Sequence, residues 1–93
     1  MNNTKPLADY VYSCVPLSNL EPEAREQYRQ IAFVKQTVWV LWKHYPKTGQ
    51  YQVCLVDVGN ISHQVQTDFG YPTPSQAFLE TLFLWKLSLC KME

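Results

Sequence analysis

Between Thr37 and Gln66 the chain reads with a period of two in three successive segments, and this leaves few architectures open. Thr37-Val38-Trp39-Val40-Leu41-Trp42 is dense in β-branched and aromatic side chains, which pack well on a pleated surface. Tyr45-Pro46-Lys47-Thr48-Gly49 supplies turn residues, and Tyr51-Gln52-Val53-Cys54-Leu55-Val56-Asp57-Val58 then returns antiparallel. Gly59-Asn60 fits a tight hairpin. After it, Ile61, His63 and Val65 fall on one face, and Ser62, Gln64 and Gln66 on the other. A three-stranded antiparallel meander follows.

Helical spacing flanks the meander on both sides. Leu20, Ala24, Tyr28 and Ile31 recur on one side of a helix. Ser18 or Asn19 can cap it, Pro22 suits its first turn, and Glu21, Glu23 and Glu26 favour its positive end. A second helix is expected from about Pro74 to Leu89, with Thr73 as N-cap and Pro74 at its first position. Before the first helix, Tyr10, Tyr12 and Cys14 alternate with Val11, Ser13 and Val15; this segment reads as a strand or a short helix, ended by Pro16. The fold class is therefore α+β, an α-β-β-β-α order with room for an N-terminal strand, both helices lying on one sheet face. A chain of 93 residues is expected to make one domain, 1–93, with residues 1–6 frayed.

Composition narrows the function classes. Eight basic residues balance eight acidic ones, which argues against a chain that coats nucleic acid by neutralising phosphates. Cys14, Cys54 and Cys90 are widely spaced and odd in number, so free thiols in a reducing cytoplasm are expected. His44 and His63 stand in no metal-binding spacing, and Gly49, Gly59 and Gly70 are separate turn glycines. Neither a metal nor a cofactor is expected. No nucleophile, base and orienting group are selected by spacing, so no catalytic residue is named and the chain reads as a non-enzyme. The start of the chain has no basic region followed by an apolar run, and Ala77–Cys90 is interrupted by Glu80, Thr81, Lys86 and Ser88. Neither a signal peptide nor a membrane span is expected.

What remains is a surplus of apolar surface. In the second helix Phe78, Leu82, Trp85 and Leu89 form one stripe, expected to lie on the sheet. Leu79 and Phe83 adjoin it, and Leu84 and Leu87 lie further round. In the first strand of the meander Val38, Val40 and Trp42 point one way while Trp39 and Leu41 point the other, so neither face is simply solvated. Packing of the spare indole on Tyr10 and Tyr12 is one way to cover it, and a partner is another. The candidate protein-binding residues are Trp39, Trp42, Phe83, Leu84 and Leu87, with Lys47, Phe69 and Tyr71 as a secondary surface.

The order of elements over about residues 20–90 is similar to that of the double-stranded-RNA-binding domain. That family clamps phosphate with a basic start to its last helix, where this chain has Thr73-Pro74-Ser75-Gln76-Ala77 without Lys or Arg. A second likeness runs over Val38–Leu87: an aromatic-rich hairpin, a polar third strand, the Thr73-Pro74-Ser75-Gln76-Ala77 helix start and the late Trp85. In this pattern the chain resembles small phage-encoded αβ sandwich proteins of the anti-CRISPR type. The resemblance implies a stoichiometric inhibitor that occludes a larger protein's working surface. The expectation is a small protein-binding module, an adaptor or inhibitor docked on a larger protein or complex, or a homodimer. The alternative is a nucleic-acid-binding module using the sheet with Lys43, Lys47 and Arg29.

Overall fold

The computed structural model describes residues 10–35 and 37–92, so the expectation for residues 1–6 lies outside the described residues. Four strands, β1 (Val11–Ser13), β2 (Val38–Tyr45), β3 (Gln50–Asp57) and β4 (Asn60–Gln66), form one antiparallel sheet in the order β1-β2-β3-β4. The ambiguous N-terminal segment is thus a strand in its middle, with Val11 opposite His44 and Ser13 opposite Trp42. At the β2–β3 turn, Gly49 has φ of 71° and its amide donates to the Tyr45 carbonyl at 2.8 Å. A side chain at that φ would crowd its own backbone, which is why glycine stands there. The β3–β4 ladder slips: Val56 faces Gln64, yet Asp57 faces Asn60, so Ile61–His63 bulge away from β3.

Helix α1 (Pro22–Arg29) follows a 3₁₀ turn at Leu17–Asn19 and continues into a π-helical stretch, Gln30–Lys35. Its start differs from the expectation. Ser18 and Asn19 lie in the 3₁₀ turn and Glu21 is the N-cap, without a side-chain cap of its own. The Glu21 amide donates instead to Ser75 Oγ at 2.7 Å, a tertiary cap joining the starts of the two helices. Helix α2 (Pro74–Met92) begins where expected, with Thr73 Oγ1 accepting the Gln76 amide at 3.1 Å.

Both helices cover the same sheet face. Leu20, Ala24 and Ile31 with Ala77, Phe78, Leu82 and Trp85 bury Val38 and Trp42 of β2 and Val53 and Leu55 of β3. At the centre Phe78 meets Tyr28 edge-on, with ring centroids 5.7 Å apart, and Trp42 at 6.1 Å. Such pairs add about 0.5–1.5 kcal/mol beyond the area they bury. Leu89 departs from the expected stripe and is exposed. A helix of 19 residues spans about 28 Å. Trp85 is the last buried residue of α2 among those described, so its final turns extend past the core.

Candidate functional site on the uncovered sheet face

Because side chains alternate along a strand, covering one face of the sheet leaves the other as a continuous surface. Tyr10 and Tyr12 precede or belong to β1; Trp39, Leu41, Lys43 and Tyr45 come from β2. Gln52, Cys54 and Val56 come from β3, and Ser62, Gln64 and Gln66 from β4. The register places Trp39 beside Val56 and Gln64, and Leu41 beside Cys54 and Gln66. Cys54 and Val56 are buried without any helix above them, screened by the longer side chains of their neighbours. Tyr12 is 65% exposed, Trp39 55% and Leu41 38%. Here is an apolar wing that the described residues leave uncovered.

The other wing is polar and ordered by hydrogen bonds. Tyr45 donates its hydroxyl to Gln52 Oε1 at 2.8 Å, and Gln52 Nε2 donates to the Thr67 carbonyl. Thr67 Oγ1 donates in turn to the Phe69 carbonyl at 2.7 Å. Burial, and then the neighbouring Tyr10, push the Tyr45 phenol above its ordinary range, keeping it a neutral donor. The loop after β4 is held down by a pair of 2.7 Å bonds between the Tyr51 and Tyr71 backbones. Gly70 lies so close to Gln50 that a Cβ there would come within 2.9 Å of the Gln50 Cβ. Between this loop and the strands is a groove of about 490 Å³ lined by Lys43, Tyr45, Gln50, Gln66, Asp68 and Phe69, among others.

The structure separates the sequence-derived candidates. Trp42 is 5% exposed and part of the core; the parity of β2 points it at Phe78 and Tyr28, so it is not available to a partner. Tyr71 is half-buried, its backbone paired with Tyr51 and its side chain partly packed on the core. Trp39, Phe69 and Lys47 are exposed, Lys47 in the β2–β3 turn. Phe83, Leu84 and Leu87 are exposed on α2, on the opposite side of the molecule from Trp39. Phe83 edges a groove of about 190 Å³ between α1 and α2, which Glu23, Gln27 and Lys86 make partly polar. Tyr10 and Tyr12 do not serve as a lid for Trp39. Tyr10 packs on Tyr12 at 5.6 Å and on Tyr45 at 5.7 Å. The alternative set of basic residues is also divided: Lys43 lies on the uncovered face, while Arg29 is on α1 across the sheet.

One constellation that spacing did not select is Asp57, His63 and Ser88. His63 Nε2 lies 3.1 Å from Ser88 Oγ, and its Nδ1 3.9 Å from Asp57 Oδ2. The types are those of a hydrolase triad, but the proton directions oppose that use. Ser88 Oγ also reaches the Trp85 carbonyl at 2.8 Å, and while its one hydrogen is donated there it can only accept from His63 Nε2. The imidazole also stacks on Trp85 with centroids 4.8 Å apart, its Nδ1 buried and unbonded. This arrangement pins β4 to α2. Alternation puts His63 on the helix side with Val65, but which residues of α2 it meets is set by the tertiary fold.

Among the described residues, no group of three or more His, Cys, Asp or Glu could hold a metal ion, and no helix is long and apolar enough to cross a membrane. All three cysteines are free: Cys14 and Cys90 exposed, Cys54 buried. Burial pushes the Cys54 thiol up, with Lys43 opposing. A thiol held protonated by the fold stabilises it fully below the ordinary thiol range, and that contribution fades as pH rises through the raised value. In thiol titration with an aromatic disulfide at neutral pH, Cys14 and Cys90 are expected to react at once and Cys54 only after urea is added. Prompt reaction of all three would mean that the screen over Cys54 is open.

Comparison of the chain with protein-family models, with curated proteins and with solved structures gives no match.

Proposed function

We propose that the protein is a non-enzymatic binding module, an adaptor or stoichiometric inhibitor, that docks on a larger protein through its uncovered sheet face. The observation that carries this reading is the exposure of Trp39 and Leu41 along β2, with Tyr12 exposed on β1 opposite Lys43, on a face whose opposite side holds the helices. Trp and Tyr combine large contact area with few rotatable bonds, which is why they anchor protein interfaces. Polar groups rim the patch, with Lys43, Gln64 and Gln66 alongside it, the usual layout of an interface core inside a hydrated border. A balanced net charge favours apolar contact over phosphate tracking, and the placement of Lys43 and Arg29 on opposite sides of the sheet counts against a nucleic-acid track.

The exposed residues of α2 are the competing surface, and a homodimer is the competing occupant. Parallel capture from nuclease-treated lysate of the native host separates them, using wild type, Trp39→Ala and Phe83→Asp as baits. The expected result is a stoichiometric protein that survives high salt on wild type and Phe83→Asp and is lost on Trp39→Ala. Loss on Phe83→Asp alone would move the site to α2. Retention only in untreated lysate would favour nucleic acid. Sedimentation of the purified protein at twice the monomer mass, abolished by either substitution, would make the surface a self-interface.

A further inference from the structure

Lys43 is the only charged side chain at the strand positions of the uncovered face, where its neighbours are rings, aliphatic groups and neutral amides. Its ammonium lies 4.8 Å over the Tyr10 ring and donates to Gln66 Oε1 at 3.2 Å. Neither partner carries charge. One of the ammonium's three N–H donors is used, and among the described residues no carboxylate pairs with it. A lysine stem is long enough to lift its charge into bulk water. This one instead lies half-buried along the sheet, between the ring and the amide. A cation that no described carboxylate neutralises, lying between the rings and amides of this face, is complementary to a single anion that arrives with apolar neighbours.

On the reading that this face docks a protein, we infer that the partner presents one carboxylate, an Asp or Glu side chain, to Lys43, with apolar side chains beside it on Tyr12 and Leu41 and, further along β2, on Trp39. The polar groove on the other side of Lys43 is edged by Asp68, which repels a second carboxylate there. The acid therefore approaches from the aromatic wing. A nucleic-acid phosphate would satisfy the same ammonium, but a strand of phosphates needs a track of cations, and among the described residues the strands of this face hold one.

The test uses the full chain, immobilised, and a phage-displayed library of random dodecapeptides. The expected consensus carries one Asp or Glu between apolar positions. By fluorescence anisotropy, a synthetic peptide of that sequence should bind about tenfold more weakly to Lys43→Gln. Changing the acid to its amide should cost about the same, and both changes together no more than either alone. A consensus without an acid, or affinity for Lys43→Gln within about twofold of wild type, overturns the carboxylate inference. Such peptides that still require Trp39 would leave the docking face standing. Peptides indifferent to Trp39→Ala, no enriched peptide at all, or tighter binding of oligothymidylate than of any peptide would overturn the inference and the docking face together.

Discussion

Trp42→Ala is expected to unfold a large share of the protein, whereas Trp39→Ala, three positions earlier on the same strand, should leave its stability unchanged. Trp42 is buried against Tyr28 at 6.0 Å and Phe78 at 6.1 Å, and no neighbour can close the space an indole leaves. Truncating a buried Trp costs about 3–5 kcal/mol. A chain of 93 residues has about 5–14 kcal/mol in all. Trp39 is mostly exposed, and truncations of that kind usually fall within about 0.5 kcal/mol. Urea denaturation followed by far-ultraviolet circular dichroism distinguishes the two, because that signal does not depend on the indole removed. With a slope of about 1–3 kcal/mol per molar urea, the Trp42→Ala midpoint should fall by about 1 M or more. Equal losses for both variants would mean that Trp39 is covered, and the proposed docking surface with it.

Phe78→Ala should be as severe, at about 3–5 kcal/mol, because Phe78 is fully buried where α1, α2 and β2 meet. Tyr28 and Trp42 both lose their ring contact with it. The same geometry predicts non-additivity. In the double variant Trp42→Ala/Phe78→Ala, the cavities merge and the shared contact is counted once, so the cost should fall short of the sum by about 0.5–3 kcal/mol. Full additivity in denaturant midpoints would show that the two rings do not touch in solution. A stable single variant such as Leu87→Ala, on the exposed side of α2, serves as the control.

Much of this architecture is legible in the chain because each strand of the meander carries its own period and turn. The α+β class and the start of α2 at Thr73-Pro74 follow from local chemistry, and both are present. What the chain does not disclose is which parity of β2 faces inward. Val38, Val40 and Trp42 compete with Trp39 and Leu41 on nearly equal apolar terms, and only the arrival of two helices on one side decides between them. In the sequence Trp42 and Trp39 therefore stand as equal candidates for contact, although they point in opposite directions. Other features rest on long-range partners. β1 needs β2 to become a strand, the cap of α1 comes from Ser75 in α2, and Lys43 acquires its place from Tyr10 and Gln66. No window of neighbouring residues contains those pairs. The three-residue bulge at Ile61–His63 is hidden for another reason: clean alternation in sequence does not reveal where a ladder slips.

The order in which these parts leave the ribosome has a consequence of its own. The meander is complete by Gln66, but Phe78, Leu82 and Trp85 lie in α2, which is made after it. At about 5–20 residues per second, the 19 residues of α2 take roughly one to four seconds to synthesise. Through that interval the nascent sheet has only α1 and the turns beside it for its inner side and no helix on the other, with β2 offering an indole to each. A chaperone that shields one side and a cognate protein that shields the other would then meet the same half-finished chain. Whichever reaches Trp39 first need not release it for folding to finish, since α2 closes on the other side.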